Sequence, residues 1–309
     1  MNNATNFSHG SLDLGFASRV AEQAPCPLCA SPSRRLPFSN HGYPVRECRS
    51  CGLRFLDPQP NDAILSSIYT AEYFLGEPGQ DAEERVSALK RATAGLYLRR
   101  LRSLPDTAGG RLLEIGCGRG EFLLEARASG YDAFGLEISS HAATAANLRL
   151  GSERVSTGTV DTFSDAAEPF DVVAFADVVE HVRDPVHFLR RVHALLRPRG
   201  VALLITPSLA SWSARVLGRH WMEYKLEHLF YFTPRSVRLA LERSGFDSIA
   251  ITPNAKVLNL DYIHQHFQRF PVPLISPMLR FASKLVPTRL AYHPLILPAS
   301  GMAVTARRA

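Results

Sequence analysis

Four cysteines near the N-terminus are spaced as metal ligands. Cys26 and Cys29 form one C-x-x-C pair, Cys48 and Cys51 form a second, and eighteen residues separate the pairs. Two such turns bring four thiolates to the corners of a tetrahedron, the geometry that a structural Zn²⁺ prefers. The spacing leaves two disulfides or a redox pair open as alternatives. Because four thiolates leave no open coordination position, we expect a structural zinc without a catalytic role.

A second group of residues is suited to binding a nucleoside. The apolar run at 112–115 carries one acid, Glu114, and is followed by Gly116, Gly118 and Gly120 and then by a helical pattern. This order predicts a buried strand, a tight turn that glycine allows, and a helix N-terminus. A ligand can lie against the bare backbone of such a turn, because open α/β sheets bind ligands at the carboxyl ends of their strands.

Another acid ends the next predicted strand. Residues 131–137 read as a strand that finishes at Glu137, where a carboxylate can accept hydrogen bonds from both hydroxyls of a ribose. A redox dinucleotide site would use an acid at the same place. The glycines distinguish the two possibilities, since the dinucleotide fingerprint is G-x-G-x-x-G, whereas the three glycines here occupy alternate positions.

The elements that must position these residues alternate between strand and helix. Strands are predicted at 111–115, 133–137, 155–157, 172–175, 201–206, 246–252 and 302–307, and helices at 81–104, 121–129, 139–150, 186–196 and 234–245. This alternation predicts an α/β fold with a doubly wound, mostly parallel sheet. The cysteines precede it in a small, zinc-ribbon-like module.

Taken together, these motifs resemble those of the class I S-adenosylmethionine (SAM)-dependent methyltransferases. The resemblance covers about residues 90 to 250 and includes the glycine turn, Glu137, the fourth-strand segment 169–182 and the Leu-Leu-Arg-Pro-Arg-Gly turn at 195–200. It implies a seven-stranded Rossmann-like sheet, methyltransferase activity, and SAM as the methyl donor. The N-terminal cysteines place the chain in a subgroup with a four-cysteine zinc-binding module.

The resemblance also implies which residues contact SAM. The glycines lie against its methionine and ribose portions, one acid orients the turn, another accepts the ribose hydroxyls, a third lies near the adenine amino group, and the backbone after strand four borders the methionine end. In this sequence these positions are Glu114, Gly116, Gly118, Gly120, Glu137, Asp161, Ala176 and Asp177.

Two histidines are candidates for a catalytic base. The sulfonium of SAM is already activated, so catalysis requires in-line positioning and, for a hydroxyl or amine acceptor, a group that removes a proton. His181 lies just beyond strand four, and His228 lies in the segment after strand five. An imidazole has an unperturbed pKa suited to this role. The Glu-His turn that contains His181 is widespread in the family, which favours a general over a substrate-specific role.

A long connection at 207–232 carries both tryptophans of the protein. Connections of this length in a compact domain are usually functional, and this one starts beside the expected cofactor site. We expect a lid in which Trp212, Trp221 and Tyr224 either contact the acceptor or fill the core. For Phe230 and Phe232 we favour the core.

Composition agrees with an enzyme of the cytoplasm. The 309 residues are 46% hydrophobic, and no uninterrupted run of 18 apolar residues occurs. Residues 1–24 lack the pattern of a signal peptide and are expected to form a flexible tail. We therefore predict a tail at 1–24, a zinc module at 25–60 and a methyltransferase domain at 61–309.

The positive charge of the chain is concentrated near its end. Residues 254–309 contain seven Lys and Arg residues and one acid, so this segment carries the same net charge, +6, as the whole chain. An insertion is predicted at 254–301, with a basic amphipathic helix around Met278 to Val286. It could lie on anionic lipid as a peripheral membrane contact, face an anionic substrate, or cap the domain.

The motifs described above do not determine the chemical class of the methyl acceptor. The zinc module and the His228-to-Pro234 segment resemble bacterial methyltransferases of sugars, polysaccharides and secondary metabolites, which favours a small-molecule or glycan acceptor. A zinc-module RNA methyltransferase is an alternative, because residues 25–60 contain five arginines and two acids. No Asn/Asp-Pro-Pro-Tyr signature follows strand four, which disfavours methylation of a base amine. A SAM-binding protein without turnover is the third possibility.

Overall fold

The computed structural model describes residues 23–68, 80–163, 168–269, 276–278, 280 and 286–309. The strands are β1 Gln23–Pro25, β2 Pro32–Asn40, β3 Tyr43–Cys48, β4 Arg54–Leu56, β5 Arg111–Ile115, β6 Asp132–Glu137, β7 Val155–Thr157, β8 Phe170–Ala176, β9 Leu196–Pro207, β10 Phe230–Tyr231, β11 Phe246–Leu258 and β12 Leu295–Arg308. The helices are α1 Asp62–Ile68, α2 Gln80–Arg102, α3 Glu121–Ala128, α4 Ser140–Leu150, α5 Pro185–Leu195, α6 Trp212–Leu217, α7 Pro234–Glu242, α8 Leu260–Arg269 and α9 Thr288–Ala291.

The larger sheet has seven strands in the order β11-β12-β9-β8-β5-β6-β7. The five strands from β9 to β7 are parallel, and β12 runs antiparallel to both of its neighbours, β9 and β11. This confirms the predicted α/β fold with a mostly parallel, doubly wound sheet. The strand order reverses at β5, between β6 and β8. Ligands of open sheets bind at such a switch point, and the glycine turn follows β5 directly.

Each face of this sheet carries its own hydrophobic core. On one face, α2, α3 and α4 bury residues such as Leu98, Leu123 and Ala146 against the strands. On the other face, α5 and α7 bury residues such as Leu189 and Val237. Burial of aliphatic side chains on both faces explains why the central strands read as short, continuous apolar runs.

The smaller sheet joins the N-terminal module to the larger domain. Its order is β1-β2-β3-β4-β10, and all of its pairings are antiparallel. Strand β10 lies far along the chain from the others, and its Phe230 pairs with Phe55 of β4. Buried Cys26, Leu53 and Phe55 belong to the same core as the α5 and α7 face. The cysteine module is therefore packed on the domain through a shared sheet and a shared core.

The predicted lid divides into buried and exposed parts. Trp221 is buried, and its Nε1 donates a hydrogen bond to Ser213 Oγ at 3.1 Å. Phe230 and Phe232 are also buried, as expected for core residues. Trp212, at the start of α6, is 59% exposed. Of the three aromatic residues considered for acceptor contact, Trp212 and the partly buried Tyr224 remain accessible to a ligand.

Strands β11 and β12 are longer than the sequence indicated. Strand β11 continues to Leu258, and strand β12 already begins at Leu295. In the added part of the two strands, Lys256 pairs with Leu297. The interval 254–301 thus begins and ends as a β-hairpin that extends past the end of β9. The predicted amphipathic helix around Met278 to Val286 lies mostly outside the described residues. Among the helices that are described, no helix has the length and apolar character needed to cross a membrane.

Candidate functional site

The glycine turn lies at the carboxyl end of β5 and opens toward solvent. Gly116, Gly118 and Gly120 all have positive φ, at 72°, 52° and 80°, which explains the need for glycine at alternate positions. A Cβ at Gly116 would lie 2.7 Å from Val178, whereas a Cβ at Gly118 would meet nothing within 4 Å. The backbone at Gly118 therefore borders open space in which a ligand can lie.

Glu137 holds this turn in place. Its Oε2 accepts a hydrogen bond from the Gly118 amide at 2.8 Å, and its Oε1 accepts one from the Ser139 amide at 3.0 Å. The side chain is buried at the end of β6. Because each carboxylate oxygen has two lone pairs, both oxygens keep one lone pair for ribose hydroxyls. Glu137 thus contacts the turn directly, and the expected role of Glu114 in orienting the turn stays a prediction.

Glu114 and Glu121 add two more buried acids beside the turn. Burial raises the pKa of Glu114 well above its usual value, and the nearby Glu121 and Glu137 raise it further. For Glu121, burial opposes ionisation, but Lys90 and Arg149 lower the pKa below its usual value. We call this region, residues 114–121 and Glu137, the glycine-turn side of the site.

Asp161 occupies a different environment. It follows β7, and its side chain is 55% exposed. One carboxylate oxygen, Oδ1, lies 2.8 Å from His187 Nε2 and 3.5 Å from Arg191 Nε. The expected contact with adenine therefore remains a prediction, and Asp161 could make it only while sharing its carboxylate with these two partners.

Asp177 begins a second part of the site, beyond the end of β8. Its backbone amide donates to the Ile205 carbonyl at 2.9 Å, and its φ is 54°, an uncommon conformation for a residue other than glycine. The carboxylate lies 3.2 Å from Lys256 Nζ. Burial opposes ionisation, but the ammonium groups of Lys256 and Lys225 together hold the pKa of Asp177 below its usual value.

Two histidines meet next to Asp177. The rings of His181 and His228 lie edge to face, with centroids 4.7 Å apart. Burial lowers the pKa of both imidazoles, and the charge of Lys225 adds to the effect at His228, whose pKa falls to about 3. Both imidazoles are therefore neutral near pH 7, the state in which an imidazole can accept a proton or bind a metal.

The chain brings these histidines together through the Glu180 backbone. The carbonyl of Glu180 accepts hydrogen bonds from the amides of Leu229 and Phe230, at 2.8 and 3.2 Å. These bonds fix the turn after β8 against the segment that enters β10. Glu180 itself is buried, and its Oε2 accepts a hydrogen bond from Thr206 Oγ1 at 3.0 Å.

Several charged and polar residues of this region were missed by sequence reasoning. Lys256 reaches Asp177 from the β11–β12 hairpin, and Lys225 lies 3.5 Å from Glu223. Asn254 is buried nearby, and neither polar atom of its amide has a hydrogen-bond partner among the described residues. No local sequence pattern marks these positions, because they converge from separate segments. We call residues 177–181, 223–228 and 254–256 the histidine side of the site.

The four cysteines of the N-terminal module converge as predicted. One ligand atom from each lies within 4.8 Å of all the others, with Sγ–Sγ distances of 3.6 Å for Cys26–Cys51 and 3.4 Å for Cys29–Cys48. A disulfide would require about 2.05 Å, whereas a tetrahedron with Zn–S bonds of ~2.3 Å has edges close to the observed distances. The geometry therefore favours the metal over the disulfide alternative.

The two cysteine turns are built alike. The Ala30 amide donates to the Cys26 carbonyl, and the Gly52 amide donates to the Cys48 carbonyl, both at 2.8 Å. Ala30 and Gly52 both have positive φ, at 58° and 78°. Gly52 directly follows the second pair, and glycine adopts a positive φ without steric cost. Ala30 adopts the same geometry at the equivalent place in the first pair.

The sequence matches a known protein-family model. The model is described as a methyltransferase domain, and it matches residues 87–251, just over half of the chain. The match begins within α2 and ends within β11, so it includes the glycine turn, Glu137 and the histidine side as far as His228.

Curated relatives are similar over the same region. A ubiquinone biosynthesis O-methyltransferase of Rhodopseudomonas palustris is 30% identical over 160 residues, which cover 49% of this chain and 59% of that protein. A protein of the same description from Ruegeria pomeroyi is 35% identical over 145 residues, covering 43% and 56%. The chain therefore matches less than two thirds of the length of these relatives.

Solved structures share the fold at low identity. A chain in the complex between the Haloferax volcanii Trm112 methyltransferase activator and a methyltransferase superposes with a TM-score of 0.52 at 18% identity, covering 73% of this chain and 93% of that one. A Bacillus halodurans methyltransferase structure gives 0.50 at 14% identity, covering 70% and 99%. At these identities the similarity establishes a common fold.

Proposed function

Because this chain belongs to the class I SAM-dependent methyltransferase family, we propose that it transfers the methyl group of SAM to a hydroxyl oxygen of a small-molecule, sugar or polysaccharide acceptor. One observation supports this most strongly. A turn with bare backbone, bonded to Glu137, lies at the end of β5, and a pair of neutral, buried imidazoles follows the adjacent strand β8. The two sides supply a donor site and an acceptor site at one edge of the sheet.

The glycine-turn side is proposed to bind SAM. Gly116, Gly118 and Gly120 would lie against the methionine and ribose portions, and the free lone pairs of Glu137 would accept the ribose hydroxyls. Charge-assisted hydrogen bonds of this kind contribute about 1.5–3 kcal/mol each. The buried Glu114 and the backbone of Asp177 would border the methionine end, and Asp161 the adenine.

The histidine side is proposed to bind the acceptor and take up its proton. The acceptor oxygen attacks the methyl carbon, and the C–S bond breaks with its electron pair moving to sulfur, which leaves neutral S-adenosylhomocysteine. The hydroxyl proton passes to the imidazole of His228 or His181. Burial keeps both histidines unprotonated before this step, and it also makes each a weaker base than a free imidazole, because it lowers the pKa of both.

Two considerations support an oxygen acceptor. The curated relatives that match the domain are named as O-methyltransferases. The charged side chains of the histidine side include both signs, with Lys256 paired to Asp177 and Lys225 to Glu223, which suits a neutral hydroxyl better than a strongly charged group. The basic segment around Met278 to Val286, which could lie on anionic lipid, face an anionic substrate or cap the domain, is largely outside the described residues.

The test combines binding with turnover. Calorimetry should give one SAM per chain, and Glu137→Ala should weaken it by about 2–4 kcal/mol, roughly 30- to 1,000-fold. Glu153→Ala removes an exposed acid and serves as the matched control, with SAM affinity unchanged. Transfer of labelled methyl from SAM to a panel of sugars, glycans and catechols then tests the acceptor class. Equal SAM affinity in both variants would refute the cofactor site.

The RNA methyltransferase alternative has less support on the molecule. Of the five arginines that suggested a basic module, Arg34 and Arg54 both pair with Glu47, at 2.7 and 2.8 Å. Arg46 is buried and lies 2.7 Å from Asp57. Since phosphate binding requires exposed, uncommitted cations, the module offers RNA a weaker surface than its composition indicated.

SAM binding without labelled product from any acceptor would favour the non-catalytic alternative.

A further inference from the structure

Three potential metal ligands converge on the histidine side. Glu180, His181 and His228 each offer one ligand atom, and these atoms lie within 4.8 Å of one another. Glu180 is 1% exposed and His228 is 3% exposed. The three residues come from the turn after β8 and from the segment before β10, and the hydrogen bonds to the Glu180 carbonyl hold these two segments together.

The carboxylate of Glu180 has one oxygen without a partner. Its Oε2 accepts a hydrogen bond from Thr206, while Oε1 is buried and has no hydrogen-bond partner in the described part of the chain. Leaving a buried polar atom unsatisfied costs about 1–3 kcal/mol, and more for a charged group. Oε1 is therefore the oxygen that remains available to a ligand, and the Glu180 carboxylate lies in one cluster with ring nitrogens of His181 and His228.

The backbone orients the imidazoles as it does in metal sites. The Nδ1 of His228 lies 2.9 Å from the Glu223 carbonyl, so Nδ1 carries the proton and Nε2 keeps its lone pair. His181 forms a hydrogen bond with the backbone of Glu227. Metal-bound histidines typically donate their second ring N–H to a carbonyl or carboxylate, which fixes the tautomer and the ring orientation.

The charges around the cluster favour a cation. Asp177 and Glu223 act electrostatically on Glu180, and Asp177 acts on both histidines. Glu227 adds a fourth carboxylate beside Lys225, and the ammonium groups of the cluster are those of Lys225 and Lys256. With every group ionised, the cluster has an excess of two negative charges. Burial and the neighbouring Asp177 raise the pKa of Glu180 well above its usual value.

We infer that Glu180, His181 and His228 bind one divalent transition-metal ion. Two imidazoles and one carboxylate suit ions such as Mn²⁺, Fe²⁺, Co²⁺ or Zn²⁺ and leave coordination positions open. The inference rests on the proposed methyl transfer and changes the role of the imidazoles from proton acceptors to ligands. The acceptor hydroxyl would bind at an open position, where the ion lowers its pKa, and its proton would leave to solvent as the alkoxide forms.

The test uses Mn²⁺ alone, on tag-free protein that retains zinc at its four cysteines. The hard Mn²⁺ ion competes poorly for thiolates, and electron paramagnetic resonance counts free and bound Mn²⁺ directly. We expect one bound Mn²⁺ per chain. Glu180→Gln and His228→Asn should each weaken it about 10- to 100-fold or more, since even loss of an outer-shell partner has that effect.

Matched controls separate the site from general surface binding. His41→Asn removes an exposed imidazole, and Glu153→Gln removes an exposed acid, so both should bind Mn²⁺ as the unaltered protein does. Thermal unfolding and SAM calorimetry on the same samples verify that Glu180→Gln and His228→Asn are folded. No Mn²⁺ binding by the unaltered protein, or equal binding by all four variants, would overturn the inference.

The outcomes distinguish this inference from the proposed function. If SAM binds and methyl transfer proceeds while Mn²⁺ does not bind, the cation site is wrong and the imidazoles act as proton acceptors. If SAM does not bind, the proposed function is wrong whatever Mn²⁺ does. Mn²⁺ binding that Glu180→Gln and His228→Asn abolish, together with intact SAM binding, supports the cation site and the SAM site and assigns the imidazoles the role of ligands.

Discussion

The two sides of the site are built in different ways. The glycine-turn side consists mainly of backbone, and its residues come from two neighbouring stretches of chain, β5 with the turn that follows it and the end of β6. The histidine side consists of side chains from three separate stretches, the end of β8, the segment before β10 and the β11–β12 hairpin. The glycine-turn side therefore offers backbone to a ligand, whereas the histidine side offers charged and polar side chains that meet only in the folded domain.

The comparison also explains how each side depends on the rest of the molecule. The glycine turn is held by its own carboxylate, Glu137. The segment that carries His228 is held by the N-terminal module. The amide of Leu56 donates to the Leu229 carbonyl at 3.0 Å, and Phe55 pairs with Phe230. Unfolding of the cysteine module should therefore disturb the histidine side before it disturbs the glycine-turn side.

The largest effect should follow from Gly118→Val, on the glycine-turn side alone. The substitution forces a β-branched residue into the left-handed region, at φ 52°, and fills the open space where SAM is proposed to lie. We expect a loss of about 3 kcal/mol or more in SAM binding, roughly 100-fold in Kd, measured by calorimetry. Gly118→Ala causes the same backbone strain but introduces a smaller side chain, so it should lose less SAM affinity than Gly118→Val. Mn²⁺ binding at the histidine side should be unchanged, and its loss would contradict the separation of the two sides.

An intermediate effect should follow from Cys48→Ser, which acts on the histidine side. Loss of zinc removes several kcal/mol, as a rough expectation, from a module with a small core of its own, and β4 then no longer holds β10. We expect zinc content below one per chain by elemental analysis and at least tenfold slower methyl transfer, with SAM affinity within about threefold. Ser50→Ala, an exposed neighbour, should retain zinc and activity. A parallel loss of SAM affinity would show that the module supports both sides equally.

The smallest effect should follow from Asn40→Ala, at the contact between the module and the segment before β10. The Asn40 amide donates to the Lys225 carbonyl at 2.7 Å and to the Tyr231 hydroxyl at 2.8 Å. Removing a buried side chain with two such bonds should lower the free energy of unfolding by about 1–3 kcal/mol, measured by urea denaturation. Tyr231→Phe removes one of the bonds and should cost less. A larger loss in Tyr231→Phe than in Asn40→Ala would assign the stability to the tyrosine hydroxyl instead.

The sequence predicted best what depends on neighbouring residues. The doubly wound sheet, the glycine turn and the cysteine cluster follow from local periodicity, from glycines at alternate positions and from two short repeats. The pairing of β4 with β10, the approach of Lys256 to Asp177 and the buried oxygen of Glu180 could not be predicted in this way. Each depends on residues that are far apart in the sequence and meet only in the folded domain, so no local sequence pattern predicts these contacts.

The long-range pairing of the smaller sheet also sets an order of events during synthesis. Asn40 and Tyr231 are in contact although they are 191 positions apart, so strands β1 to β4 leave the ribosome long before their fifth strand exists. Until then the outer side of β4 is an unpaired edge, the kind of surface on which nascent chains aggregate. If the four cysteines bind zinc at this stage, the ion would hold β1 to β4 together while translation continues, and the arrival of β10 would close the exposed edge of β4.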